Sequence, residues 1–581
     1  MASLQVSLIW FIYGTVIAVA SLIAWCLVHF YQTPRDRSQV VTLTCILTIA
    51  SLLATVLLLP VDVALVSSAT SSTLGKRESW ATQNVVDKDL SLLTGIYYLL
   101  YSLDAILCLL VIPFVYFWYE EYDEVASEAG EQTPVQRLWA AFKYAIPFVA
   151  IVAVLLLVGA LAPLSKAEYD NEGVYSTYSL VDNRGRRALA FTIGVLMTIG
   201  VPSYILYTSA GLALLPIQAL KALSASNDTW KAANAVQLES NRERQRQLDR
   251  RCGGNSGLLS SKDRRELDTL VREERTLIRR QRLAEEAHAE GRNWVVKLCL
   301  KANATCRPLR VIGGITLFLI ASLISISMLL TAIDQTSSSL CKHHCGYLSK
   351  NLHIFNPMDQ IFVQSAKIFP LDYLMFTIIT LLLFCSSVFG IATIGIRFIW
   401  VRIYQVRSGH TSPQALLLLS AVLMLTILSM NYSLCMSVVS QYATFGSQTF
   451  CDRLPSLEGQ SSCSDQKHLI KRCSDTANNI AAKRNCTPSV TSTFVNQIAT
   501  QFPVFGVILF WSQYIFIGVY ALVLVMSIVR PLKHDESSLD EEAEEAEEEN
   551  LLASTRGRSD AGLNNVIRRM DMHNDSRSVR L

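Results

Sequence analysis

Asp104 stands between Leu103 and Ala105 in the apolar run Leu93 to Trp118, where an ionised carboxylate costs about 2.5 to 3.5 kcal/mol on insertion scales. Such a group must face water, a partner or a substrate. Asp104 is therefore the candidate for a transport pathway or for proton coupling, with a structural hydrogen bond as the alternative. Tyr101 precedes it by three residues and shares its helix face, and Tyr97 and Tyr98 extend that polar edge. Asp62, beside Pro60, and Asp372, after Pro370, fall at the ends of apolar runs, where helix capping or interfacial solvation suffices. Pro60, Pro113 and Pro202 free backbone carbonyls and bend helices, which either shapes a cavity or only kinks the packing.

Six of the 14 cysteines lie in two loops between apolar runs: Cys341, Cys345, Cys451, Cys463, Cys473 and Cys486. An even number in an oxidising compartment predicts disulfides, with the pairing left open. His343 and His344 between the first two invite a zinc reading, but a disulfide flanked by exposed histidines fits that compartment better, so no metal site is expected. Asn485, in Asn485-Cys486-Thr487, is the glycosylation candidate. The sequons at Asn227, Asn303 and Asn574 fall in segments expected in the cytosol, and Asn431 falls inside an apolar run.

Soluble-enzyme chemistry is missing from the pattern. The chain carries no G-x-x-x-x-G-K-[ST] loop for nucleotide phosphates, no H-E-x-x-H and no G-x-S-x-G elbow. That argues against transport driven by its own ATP hydrolysis, and no catalytic role is assigned.

The elements that must position these residues are nine apolar runs of membrane-spanning length: Leu8 to Phe30, Val41 to Val66, Leu93 to Trp118, Ala145 to Leu164, Leu189 to Leu215, Val311 to Thr331, Leu371 to Ile399, Ala415 to Val438 and Phe505 to Val529. Only 17% of the 581 residues are charged and mean hydropathy is +0.32, too apolar for a soluble chain of this size. The expected fold is an all-α polytopic membrane protein. The uncharged segment Met1 to Val6 and the length of the first run favour a retained first helix with a lumenal N-terminus, and nine crossings then place the C-terminus in the cytosol. Lys and Arg concentrate on the segments this orientation leaves cytosolic, although Arg184, Arg186 and Arg187 run against it.

The expected division is residues 1–216 for the first five spans, 217–310 for a charged cytosolic loop, 311–529 for the last four spans with their cysteine-containing loops, and 530–581 for an acidic tail. The loop reads as two helices joined by a Gly-rich turn at residues 252–257. The second, about Lys262 to Glu290, repeats Leu270, Leu277 and Ala284 at heptad spacing. Its basic residues suit anionic headgroups or a protein partner rather than nucleic acid. The tail is expected to be disordered. Within it Glu547, Leu551 and Leu552 match an acidic-dileucine pattern that clathrin-adaptor proteins read as a sorting signal.

Four segments carry a resemblance: Phe369-Pro370-Leu371-Asp372-Tyr373, Gly395-Ile396-Arg397-Phe398-Ile399-Trp400-Val401-Arg402-Ile403-Tyr404, Ser412-Pro413-Gln414-Ala415-Leu416-Leu417 and Gln441-Tyr442-Ala443-Thr444-Phe445-Gly446-Ser447-Gln448. Together they resemble the limb-region-like, lipocalin-receptor-related membrane proteins, whose nine-span layout and long loop after span five are similar too. The resemblance implies a lysosomal membrane protein exporting cobalamin to the cytosol, alongside a partner of the ATP-binding-cassette type. Cobalamin would be the substrate, and no resident cofactor is expected. The resemblance carries over no substrate-binding residue. A receptor or trafficking scaffold acting through residues 217–310 and the tail is the second reading, and a membrane enzyme or channel the third.

Overall fold

The computed structural model describes residues 2–33, 38–71, 75–78, 80–122, 133–162, 184–221, 227–251, nine residues between 266 and 278, 307–339, 347, 354–368, 370–398, 401–404, 406, 411–452, 463, 469–473 and 485–529. Among these, nine helices are long and apolar enough to cross a membrane. The first two are α1 (Ala2–Tyr31) and α2 (Gln39–Ser68). The third is α3 (Gln83–Ile106) joined through a π turn, Leu107–Val111, to α4 (Ile112–Glu120). The fourth is α5 (Pro134–Leu161). The fifth is α6 (Arg184–Ser203), a π turn at Tyr204–Thr208 and α7 (Ser209–Lys221).

After α8 (Asn227–Arg251) come the sixth span α9 (Arg307–Ser338), a short α10 (Pro357–Ser365) and the seventh span α11 (Leu371–Ile394). The eighth is α12 (Pro413–Ser433) ending in a π turn at Leu434–Val438. Two short helices, α13 (Ser440–Phe445) and α14 (Val490–Gln501), precede the ninth span α15 (Pro503–Val529). The chain divides into two compact units, Met1–Pro216 with Thr316–Val525, and Ile217–Ile315 with Met526–Leu581.

In the first unit α2 and α12 are the most enclosed spans, and α12 packs on both α2 and α6. Small residues set how closely the spans approach. A Cβ on Gly211 would collide with the Ser386 carbonyl, and one on Gly390 with the Tyr207 carbonyl. The fifth and seventh spans therefore meet backbone to backbone, the contact that glycine permits between membrane helices. Two of the three π turns adjoin prolines that cannot donate a backbone hydrogen bond: Pro113 follows the first and Pro202 precedes the second. The π turn of the eighth span has no proline; that span breaks at Val439, whose φ of −138° and ψ of 52° leave the helical region.

The fourth span starts eleven residues before the apolar run Ala145 to Leu164. A reciprocal capping box between Thr133 and Gln136, with Pro134 in the first turn, nucleates it there. The helix is thus fixed by its cap and not by hydropathy, and Trp139 and Phe142 on its first turns are exposed.

At one end of the bundle two hairpins meet. β1 (Thr70–Ser71) pairs with β2 (Lys76–Arg77), and β5 (Thr449–Cys451) with β6 (Ile470–Arg472). Cys451 N–H donates to Gly75 O at 2.9 Å, joining them. Disulfides Cys451–Cys463 and Cys473–Cys486 lie here; Cys341 and Cys345 fall outside the described residues, as do His343 and His344. The Gln448 amide clamps both backbone groups of Thr487, at 2.7 and 2.9 Å. At the opposite end β3 (Ile396–Phe398) pairs with β4 (Val401–Tyr404), and Arg397 N–H donates to the Tyr207 hydroxyl at 3.1 Å.

In the second unit, α8 meets the helical residues of 266–278. Asn241 donates to Glu273 at 3.0 Å, Gln245 to Glu274 at 3.0 Å, and Arg242 pairs with Glu274 at 2.8 Å. Leu248, Leu270 and Leu277 are buried, so two of the three heptad positions read from the sequence turn inward. Ala284 and the tail, with Glu547, Leu551 and Leu552, lie outside the described residues.

Candidate functional site

Asp104 sits at the end of α3, immediately before the π turn Leu107–Val111, and is 1% exposed. Its two carboxylate oxygens are each taken by a hydroxyl from α2: Ser51 donates at 2.6 Å and Thr55 at 2.7 Å. Ser51 and Thr55 are one helical turn apart, which spaces two donors across a single carboxylate. The arrangement holds a charge inside an apolar span without a cation. Because both donors are rotatable hydroxyls, it also accommodates a protonated carboxyl by turning one of them.

One and two turns back along α3, Tyr101 and Tyr97 stack at 5.9 Å, and Tyr101 stacks on Phe494 of α14 at 5.4 Å. The sequence placed Tyr97 and Tyr101 on the face of Asp104, and the structure keeps them there. What the sequence did not show is their partner: α14 packs against α2, α3, α6, α13 and the eighth span's π turn.

Asp62 is the anchor of α14. It lies in α2, is fully buried, and accepts from the backbone N–H groups of Val490 at 3.1 Å and Thr491 at 2.8 Å. These are the first two residues of α14, whose N–H groups have no acceptor within the helix. A carboxylate there complements the positive end of the helix dipole. Ser489 adds a side-chain cap to Ser492 and donates to the Ala443 carbonyl at 2.7 Å. Capping was one of the two roles expected for Asp62, but the helix it caps comes from the other end of the sequence, 428 residues away.

A third carboxylate repeats the device. Asp359 of α10 accepts from Tyr442 N–H at 3.0 Å and Gln441 N–H at 3.5 Å, capping α13. Burial pushes its carboxyl up to about 7, against the lowering effect of those two backbone donors. The Tyr442 hydroxyl in turn donates to Asp372 at 2.8 Å, and its ring stacks on Phe362 at 4.8 Å. Asp372, in the first turn of α11, is buried, which corrects the interfacial alternative of the two its position suggested: Tyr442 of α13 lies against it.

Asp104, Asp62, Asp359 and Asp372 thus hold together the breaks in the bundle. Asp359 escaped sequence analysis because it stands in a short polar segment, although Asn356-Pro357 before it is a helix-start signal. The segment Pro488-Ser489-Val490 was a similar sign of α14. Pro113 and Pro202 signalled bends beside two of the π turns, and the turn at Leu434–Val438 has no signal in residue types. Asn485 is buried, and the Thr487 N–H behind it is tied to Gln448. A glycan there would have to be attached before this segment packs. Among the described residues no group of three or more His, Cys, Asp and Glu side chains is placed to hold a metal ion.

Nine membrane-length helices among the described residues, the third and fifth interrupted by π turns and the eighth ending in one, define a multi-pass all-α membrane protein. Residues 9–282 match the family described as LMBR1-like membrane protein. A "Probable lysosomal cobalamin transporter" of Aspergillus terreus is 59% identical over 578 residues, spanning 99% of this chain and 100% of its own length. Proteins with the same name from Aspergillus oryzae and Aspergillus niger are 57% and 60% identical, the first over 99% of both chains and the second over 96% of both. The chain belongs to the LMBR1-like membrane protein family. No solved structure matches it.

Proposed function

We propose that this chain is a transporter of the lysosomal or vacuolar membrane that moves cobalamin from the lumen to the cytosol. The observation that carries the reading is similarity over nearly the whole chain to relatives bearing that name. The π turns within the third and fifth spans and at the end of the eighth support it, because such turns re-aim side chains within a helix and recur at functional sites. With the N-terminus lumenal, the bridged cysteines face an oxidising compartment and the paired helices of the second unit face the cytosol.

In this reading Asp104 is the group that takes up a proton from the acidic lumen, with Ser51 and Thr55 holding it in either state. The α14 helix, tethered by Asp62, covers the lumenal approach. The chain lacks a nucleotide-binding loop, so energy comes from the proton gradient or from a membrane partner of the ATP-binding-cassette type. Glu547, Leu551 and Leu552 would direct sorting through clathrin adaptors, and the protein performs no covalent chemistry on its substrate. Vacuoles loaded with labelled cobalamin test this: those from cells lacking the chain should retain label that vacuoles with it release. Equal retention would refute a transport role.

The scaffold reading draws on the paired charged helices around Asn241, Arg242 and Glu274. Deleting residues 262–290 separates the two functions: cobalamin release that survives the loss of bound partners would make the scaffold role a distinct one.

A further inference from the structure

Gln513 lies in the ninth span with 1% of its surface exposed, and neither its amide nitrogen nor its amide oxygen finds a hydrogen-bond partner among the described residues. A buried amide left this way is costly, and in a membrane span neither hydrocarbon nor a backbone already engaged in its helix can relieve it. Among the other buried polar atoms in that condition is the hydroxyl of Ser437, in the π turn closing the eighth span.

Gln513 and Ser437 are linked indirectly, through their helix neighbours. Phe516, one turn from Gln513, stacks on Tyr204 at 4.7 Å with rings 15° apart. The Tyr204 hydroxyl donates to Ser433 at 2.8 Å. Ser437 follows Ser433 by one turn, toward the disulfide-bearing end, and Gln513 precedes Phe516 in the same direction. The result is a polar stripe between the fifth, eighth and ninth spans with a flat aromatic pair as its floor. Tyr204 and Ser437 both belong to π turns, where the register of a helix shifts without a change of sequence and side chains are re-aimed.

We propose that Gln513 and Ser437 form a binding subsite for neutral carboxamide groups of the transported molecule. The inference rests on the cobalamin reading and deepens it. A primary amide donates and accepts at once, so its best complement is another amide. Cobalamin carries a fringe of carboxamides around a flat conjugated ring, and neither side chain bears a charge that such a neutral fringe would leave uncompensated. The Tyr204–Phe516 pair offers apolar contact to the ring itself.

The test is binding to the purified full-length chain, by quenching of tryptophan fluorescence, with two probes: cyanocobalamin, and the heptamethyl ester of cobyrinic acid, which has esters in place of amides. The wild type should prefer cyanocobalamin. Gln513→Leu should weaken cyanocobalamin about five-fold, the loss of two net hydrogen bonds at the low end of their range, and change ester binding by less than two-fold. The ligand-free Gln513→Leu protein should melt no lower than wild type, since it removes an unpartnered polar group. Ser437→Ala, a smaller change that spares the fold, should weaken cyanocobalamin alone by a few-fold. If both variants bind cyanocobalamin as wild type does, these groups hold only internal water and the subsite proposal is wrong. If the wild type binds neither probe, the cobalamin reading fails and takes the subsite with it.

Discussion

The fourth and eighth spans are equally able to cross a membrane, yet 78% of the most apolar stretch of the eighth is buried against 11% in the fourth. The more apolar of the two is the less buried. The eighth carries Ser420, Thr426, Ser429, Asn431, Ser433 and Ser437, all buried, and Ser429 donates across to the Met197 carbonyl at 2.6 Å. The fourth, between Ile146 and Leu161, has no hydrogen-bonding side chain and exposes Ile151, Val154 and Leu157. Small hydroxyl residues let neighbouring backbones approach and supply interhelical bonds, so they mark the centre of a membrane bundle, while uniform aliphatic surface marks its rim. Hydropathy says that a helix crosses; the polar minority says what it touches.

That contrast can be broken most severely where central spans meet backbone to backbone. Gly390→Leu should drive its side chain into the Tyr207 carbonyl and cost about 3 kcal/mol or more, seen as loss of the monodisperse peak in size-exclusion chromatography. Next in size is Asp62→Ala. It strands the Val490 and Thr491 N–H groups, and the loss of a buried cap should cost about 2 kcal/mol, with Asp62→Asn milder. Limited proteolysis near residues 485–502, faster in the alanine variant, would show it.

Asp359→Asn should act through pH. Burial raises the folded carboxyl from 3.8 to about 7, so the folded chain binds this proton more tightly than the unfolded one. The group's contribution to stability is complete below pH 3.8 and lost as pH rises through 7. The wild type should therefore melt lower at pH 8 than at pH 5, and Asp359→Asn should remove that share of the slope. The smallest effect is expected at the rim: Leu157→Ala should change stability by about 0.5 kcal/mol or less, and a larger loss in thermal melting would mean that the fourth span has a protein neighbour.

Much of this was legible from the residues. The nine spans, the isolated Asp104, its tyrosine face and the inward turn of Leu270 and Leu277 follow from apolar length and helical period alone. The partners were not legible. Ser51 and Thr55 are ordinary residues of an apolar helix until α2 is laid against α3, and Asp62 looks like a span-end acid until α14 arrives from 428 residues away. The start of the fourth span was written in Thr133-Pro134-Val135-Gln136, but a hydropathy reading passes over a cap. Gln513 sat in plain view in the ninth run. A single amide there attracts no notice until both of its atoms are found without partners.

The most direct test of the account is release of labelled cobalamin from liposomes containing the purified chain, with an acidic interior and a neutral exterior. The account predicts release faster than from protein-free liposomes, slowed at least ten-fold by Asp104→Asn, which preserves the contacts to Ser51 and Thr55 but cannot carry a proton. Release at the protein-free rate would contradict a self-sufficient transporter. Release unchanged in Asp104→Asn would contradict proton coupling through the buried carboxylate.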